Sequence, residues 1–191
     1  MARPKSDDRR AALLDAAARV FAESGLGAPT SRISTEAKVS EGSLFTYFKT
    51  KDELVSELYR DLRRQLASAI MDEFPHRAGI KERLEHVWRR WVMWGAKNTV
   101  QRKAMKLTAM SSAVGEATRL ETSALFAEVG RIQADAIAQK KLGHVSPQMV
   151  SATLKAMAEM TMDLIESEPK KAEEHCAMGF QLLWGALNSK P

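Results

Sequence analysis

The stretch Thr30-Ser-Arg-Ile33-Ser-Thr-Glu-Ala37-Lys38-Val39-Ser40-Glu41-Gly42-Ser43-Leu44-Phe45-Thr46-Tyr47-Phe48-Lys-Thr50-Lys51-Asp52-Glu53-Leu54 holds two short helices and the turn between them. Thr30 or Ser31 is placed to cap a helix running through Lys38, with Ile33 and Ala37 one turn apart on its inner side. Val39-Ser40-Glu41-Gly42 reads as a turn, and Ser40 as the N-cap of a second helix from Glu41 to Phe48. Leu44 and Phe48, again four apart, would pack that second helix onto the first. Thr50-Lys51-Asp52-Glu53 is a capping box, and the ridge Leu54, Leu58, Leu62, Leu66, Ile70 follows it directly. Upstream, Leu13, Leu14, Ala17, Val20 and Phe21 mark a helix over residues 9–22, stopped by Gly25, Gly27 and Pro29. Two short helices joined by a tight turn form a helix-turn-helix, whose second helix enters the DNA major groove while the first crosses the backbone.

The composition agrees with a helical globular protein. Of 191 residues, 45% are apolar and 28% charged, and glycine and proline number only ten and six. The single Cys176 excludes an internal disulfide framework and fits a reducing compartment. No apolar run reaches the length of a membrane span, and the charged start of the chain lacks the apolar core of a secretory signal. A cytoplasmic protein is expected. The net charge is +5, with nine Lys/Arg against six Asp/Glu in residues 1–51 and eight against two in residues 81–107. A basic balance of this kind favours polyanions, nucleic acid first.

Downstream, residues 52–73 form one long helix and residues 79–96 another, the latter carrying Trp88, Trp91 and Trp94. Spaced by three, the tryptophans drift around the helix, so at least one is expected to line a cavity or the surface. Helices over residues 99–112 and 116–140 follow. Ser146-Pro147 is an N-cap followed by proline at the first helical position, and it opens a helix to about residue 166. Pro169 begins the last helix. The expected architecture is all-α, nine helices and no strand, with a DNA-binding domain over residues 1–50 and a helical ligand-binding and dimerisation domain over residues 51–191.

The quoted stretch, with the helix before it, resembles the DNA-binding domain of TetR-family transcriptional regulators. The Thr-led helix with its Ile, the Ala-x-Val-Ser turn, the Gly-x-Leu-Phe-x-Tyr-Phe segment and the closing Lys-Asp-Glu-Leu carry the likeness. It implies an operator-facing surface made of Thr30, Ser31, Lys38, Gly42, Ser43, Thr46, Tyr47 and Lys51. Ser43 and Thr46 are short enough to reach base edges, Tyr47 and Lys51 match phosphate-contacting positions, and Thr30 and Ser31 sit where a phosphate could be held. The basic start at Arg3 and Lys5 could touch the minor groove. Two positions depart from the pattern. Lys38 stands where the family usually has glycine, at a cost of roughly 1 kcal/mol if its backbone is left-handed, and Phe45 replaces the commoner tyrosine.

The body is similar to the RamR-type branch, on Ala2-Arg-Pro-Lys-Ser6, Trp88…Trp94-Gly95, Ala158-Glu-Met-Thr161-Met-Asp163 and Gly179-Phe180…Trp184. That branch senses lipophilic, often cationic compounds. The likeness implies a cavity with Tyr59, Arg63 and Trp88 at matching positions, and Trp91, Ser151 and Leu154 complete the candidate ligand-binding set. Ser151 and Leu154 replace an acidic and an aromatic residue of the branch. The last two helices resemble the family's dimerisation pair, with Val150, Met157, Thr161 and Leu164 on one and Phe180, Leu183, Trp184 and Leu187 on the other.

Catalytic motifs do not occur: there is no Gly-x-Ser-x-Gly, no phosphate-binding loop and no dinucleotide fingerprint. His76, His86, His144 and His175 have no metal-ligand spacing, and no cofactor is expected. The expected function is a homodimeric, ligand-responsive repressor that binds a palindromic double-stranded DNA operator and is released by a small lipophilic effector, with no membrane partner and no enzymatic activity. Two alternatives stay open at this point, a helical lipophile carrier without DNA function and an architectural DNA binder blind to ligands.

Overall fold

A computed structural model describes residues 5–139 and 146–188. Among these residues there are ten α-helices, a single 3-10 turn and no strand. The helices are α1 (Lys5–Ser24), α2 (Thr30–Glu36), α3 (Glu41–Tyr47), α4 (Lys51–Met71), α5 (Ile80–Lys97), α6 (Thr99–Ala109), α7 (Glu116–Ala124), α8 (Ala127–Ala138), α9 (Pro147–Ser167) and α10 (Ala172–Asn188). The described parts of Met1–Gln65 and Asn98–Ala124 form one compact unit, and those of Leu66–Lys97 and Leu125–Pro191 form a second.

The first unit is built on the helix-turn-helix. Leu13 and Phe21 of α1, Ile33 of α2, Leu44 of α3, Phe48, and Leu54, Leu58 and Leu62 of α4 are all at most 1% exposed and share one core. Ala104 of α6 and Val114 close it, α6 lying along α1. Each such buried Leu or Phe contributes about 1.5–3 kcal/mol relative to exposure. Two caps fix the helix starts. Ser40 Oγ accepts from the Ser43 N–H at 3.2 Å at the head of α3. Thr50 Oγ1 accepts from the Glu53 N–H at 3.0 Å, while Glu53 Oε2 reaches back to the Lys49 N–H at 2.7 Å. The expected cap of α2 is different. Its N-cap is Pro29, without a side-chain cap bond, because Thr30 has turned its hydroxyl to another partner described below.

In the second unit, α5 packs against α8, α9 and α10. Trp88 is 1% exposed at its centre, and its indole Nε1 donates to the Cys176 carbonyl of α10 at 2.9 Å. Gly179 lets the two helices approach there, since a Cβ on it would stand 2.6 Å from Thr161 Oγ1 and 2.8 Å from Trp88 Cζ2. Ser146 caps α9, accepting from the Met149 N–H at 3.2 Å with Pro147 at the first turn.

Two expectations about elements change. There are ten helices rather than nine, because the segment expected to run unbroken over 116–140 is split at Leu125–Phe126. The reason is geometric. Thr118 and Thr122 are the buried face of α7, and Ile132 and Ala136 that of α8, and the two helices belong to different compact units. The break lets each bury its own face in its own unit. The last helix begins at Ala172, after a 3-10 turn over Pro169–Lys171. The expected helix end at Leu142-Gly143 and the basic position Arg3 lie outside the described residues, and Lys5 opens α1.

Candidate functional site

The recognition surface is α3 together with the residues around it. Gly42 and Thr46 are exposed and Ser43 and Tyr47 half-buried on one face, while Leu44 and Phe48, both 0% exposed, anchor the opposite face. No atom lies within 4 Å of where a Gly42 Cβ would be, so a backbone or base edge can come close. Thr46 Oγ1 donates to the Gly42 carbonyl at 3.0 Å. Its proton is therefore engaged and its lone pairs face outward, which suits an amino donor on a base edge. Phe45 is 41% exposed beside them. Tyr47 packs partly against the core of the first unit, which fixes its ring.

The flanking residues are less free than the sequence suggests. Thr30 Oγ1 donates to Glu41 Oε1 at 2.7 Å, and Lys51 Nζ donates to the Ala28 carbonyl at 2.6 Å. Both side chains brace the turns that flank α2 and α3. Ser31 is exposed, with its carbonyl accepting from Ser34 and Thr35 at 3.0 and 2.8 Å. Lys38 has φ 56°, the left-handed conformation for which its family position favours glycine. The Val39 N–H then reaches the Ser34 carbonyl at 2.9 Å and ends α2. A surface cleft of about 430 Å³ lies between α1 and α2, but its arginines are already engaged. Arg19 pairs with Glu36 at 2.7 Å, and Arg32 reaches Glu23 at 2.7 Å and Ser24 at 2.6 Å. Sequence reading passed over these clamps and the Thr30–Glu41 bond; the carboxylates Glu23, Glu36 and Glu41 interleaved with basic residues were their only signal.

The body residues fall differently from expectation. Tyr59 is 8% exposed within the core of the first unit. Burial lowers the Arg63 guanidinium from its ordinary value, and Tyr59 offsets part of this. Trp88 has its ring packed and its N–H satisfied; Trp91 and Trp94 are half-buried. Ser151 is half-buried, and Leu154, 8% exposed, lines a small apolar crevice with Leu84, Gln133, Val150, Phe180, Leu183, Trp184 and Leu187. Its free space is about 10 Å³, room for one water at most.

Several of the residues expected at a dimer interface are buried within the protomer. Val150 and Thr161 are each 1% exposed, Phe180 and Leu183 3%, and Leu187 6%, so they pack inside the protomer. Trp184 is half-buried, with its ring 6.2 Å from that of Phe180 and Lys81 Nζ at 5.8 Å. Of the expected set, Leu164 is exposed and Met157 half-buried. The apolar side chains that do reach solvent on α9 and α10 are Met149, Met160, Leu164, Met178 and Leu182, at 58, 46, 42, 52 and 56%.

The helix-turn-helix geometry coincides with a known pattern: residues 13–58 match the family model of bacterial regulatory proteins, tetR family. The chain is also 40% identical over 80 residues to the HTH-type transcriptional repressor KstR2 of Mycobacterium tuberculosis (strain ATCC 25618 / H37Rv), covering 41% of this chain and 40% of that one. It is 30% identical over 73 residues to the fatty acid metabolism regulator protein of Bacillus subtilis (strain 168), covering 38% of each. The matches span about two fifths of the length of these curated relatives. Among solved structures, a TetR family transcription regulator from Marinobacter aquaeolei VT8 superposes with a TM-score of 0.87 at 17% identity, over 97% of this chain and 98% of the other. The transcriptional regulator FadR from Bacillus subtilis, in complex with stearoyl-CoA, gives 0.70 at 18% identity, over 93% and 97%. At these identities the structural likeness establishes a TetR-like fold and nothing beyond the fold.

Among the described residues no group of three or more His, Cys, Asp or Glu is gathered as a metal site, and no helix is long and apolar enough to cross a membrane.

Proposed function

We propose that this chain is a cytoplasmic TetR-family transcriptional repressor that binds a palindromic DNA operator as a homodimer and leaves it when a small lipophilic effector binds. Residues 1–50 would serve as the DNA-binding domain and residues 51–191 as the ligand-binding and dimerisation domain. The observation that carries the reading is the face of α3: exposed Gly42 and Thr46 with Ser43 and Tyr47, held by a fully buried Leu44 and Phe48. Short polar side chains on a rigid helix can reach base edges, and a helix-turn-helix reads too few bases alone, so two copies about one helical turn apart are needed. The exposed Met149, Met160, Leu164, Met178 and Leu182 supply a face on α9 and α10 for that second copy, with Ala156, Ala177 and Gly185 permitting close approach.

The effector class is supported by the apolar crevice of the second unit, whose lining has Gln133 as its one polar side chain. Its small volume means that a ligand would have to open it, and binding and opening are then one equilibrium. Relatives named for fatty acid metabolism or seen with stearoyl-CoA agree with a lipophilic effector. Kinship with the RamR-type branch is the narrower reading. Its preference for cations is not carried over, since Ser151 and Leu154 provide neither the charge nor the aromatic ring. Effector and operator would oppose each other with a coupling of about 1–3 kcal/mol.

The test is fluorescence anisotropy at about 0.15 M salt on the DNA flanking the chain's own gene, against a shuffled fragment. A specificity ratio of about 10³ or more is expected. Equal, weak binding to every duplex, with tight binding of a fatty acyl probe, would favour a lipophile carrier instead.

A further inference from the structure

A polar relay runs through the first unit from α7 to the recognition helix. Its hub is Arg60 of α4. The Arg60 guanidinium donates through Nε to Glu121 Oε2 at 2.8 Å and through Nη2 to Thr118 Oγ1 at 2.8 Å, both on α7. Through Nη1 it reaches Glu57 Oε1 at 2.8 Å and Ser56 Oγ at 3.2 Å on its own helix. Ser56 Oγ and Thr118 Oγ1 stand 3.3 Å apart, and the two residues are 9% and 5% exposed. The second oxygen of Glu57 pairs with Nη2 of Arg10 on α1. The Arg10 guanidinium in turn lies 5.4 Å above the ring of Phe48, the residue that ends α3 with its N–H on the Leu44 carbonyl.

Each link is directional. A guanidinium is a planar fork whose donors cannot be re-aimed independently, so Arg60 can satisfy Glu121, Thr118 and Glu57 together only over a narrow range of α7 positions. The side chains of Arg60 and Glu57 are both 23% exposed, which screens them less than fully solvated surface pairs. The hydrogen bond to Glu121 and the charge of Glu57 hold the Arg60 guanidinium above its ordinary value despite partial burial. The chain leaves this unit just beyond both ends of the hub, at Gln65 within α4 and at Ala124 after α7.

We propose that Arg60 is a positioning residue for DNA recognition, holding α7 in register with α1 and with the end of α3 so that displacement of α7 is transmitted to the recognition helix. The proposal rests on the DNA-binding reading for its biological meaning, but the relay is measurable without DNA. Amide hydrogen exchange on the full chain provides the readout. Glu121→Gln is the chosen variant because its side chain is 54% exposed and an isosteric change at such a position usually costs little stability. It should raise exchange in residues 41–48 about tenfold and leave α9 and α10 unchanged, local opening being separable from global unfolding in this way. Arg10→Gln should do the same. Because Arg10 and Glu121 act through one chain of contacts, Glu121→Gln added to Arg10→Gln should raise exchange by less than about twofold more. An unchanged α3 in Glu121→Gln, a rise spread evenly over all helices, or full multiplication of the two effects would each overturn the relay. Arg60→Lys, which keeps the charge and loses the fork, should match Glu121→Gln; wild-type exchange in that variant would also overturn it. Anisotropy on the same samples separates the two ideas. A wild-type protein that selects no duplex defeats the DNA-binding reading, and the exchange data still decide the relay.

Discussion

Thr30 and Glu41, the first residues of α2 and α3, are joined by a 2.7 Å hydrogen bond from Oγ1 to Oε1. This bond places a carboxylate on the surface proposed to meet DNA, and it occupies the hydroxyl that would otherwise greet a phosphate. Glu41→Gln should therefore strengthen binding to all duplexes several-fold at about 0.15 M salt, since a repulsive charge goes while the amide oxygen still accepts from Thr30. The change removes an acidic residue from the first turn of a short helix, at a stability cost of about 0.3–1 kcal/mol. Anisotropy and urea denaturation read the two effects; weaker DNA binding would show that Glu41 faces the bases as an acceptor.

Lys38 carries the left-handed backbone of the turn. Lys38→Gly should stabilise the protein by about 1 kcal/mol, visible as a raised urea midpoint at unchanged slope. It should also lower the salt dependence of DNA binding by about one unit of slope if the ammonium neutralises a phosphate. The two outcomes are independent, one reporting the backbone and the other the charge.

Trp88 is a structural member of the second unit. Trp88→Ala should cost about 3–5 kcal/mol in denaturant unfolding. Trp88→Phe, which removes the indole hydrogen bond while the Cys176 carbonyl keeps its partner within α10, should cost about 0.5–1.5 kcal/mol. A near-neutral alanine variant that lost only effector response would assign this tryptophan to the ligand site.

On α10, Leu182 is 56% exposed and lies on the face proposed to meet a second copy. Leu182→Glu should shift the sedimentation equilibrium toward monomer and lower operator affinity more than a hundredfold, about 3 kcal/mol. Leu183→Glu would instead unfold the protomer, because that side chain is 3% exposed.

Burial pushes the Cys176 thiol up to about 11. At pH 8 it should carry about a hundredfold less thiolate than an exposed cysteine, and alkylation should be correspondingly slow until denaturant is added. The folded state retains the proton where the unfolded chain has lost it. Stability should accordingly fall as pH rises from the ordinary thiol range toward 11, and Cys176→Ser should flatten that part of the profile.

The helix-turn-helix was legible because its signals are local. Leu44 and Phe48 are one turn apart, Ser40 and Thr50 precede their helices as caps, and the left-handed Lys38 sits where the family pattern requires an unusual backbone. The body was less legible because its decisive contacts join distant residues. Nothing near Trp88 announces that its N–H ends on the carbonyl of Cys176. On α9, methionines at 149, 157, 160 and 162 put apolar groups on every side, so periodicity could not fix the buried face. The observed stripe is Val150, Leu154, Ala158, Thr161, Met162 and Ile165, which turns Leu164 outward. The Arg60 relay was invisible for a related reason: its carboxylates lie 47 and 61 positions from the arginines they join.

The core under the recognition helix is completed by Ala104 and Val114, which belong to a stretch of sequence far beyond α4. A reading head of this type is thus not a cassette that recombination can lift out as one contiguous piece. A chimera carrying only the first fifty residues onto another body would need that body to supply matching small side chains against α1. Regulators of this architecture should therefore acquire new operators by point substitution on α3 far more readily than by exchange of the head.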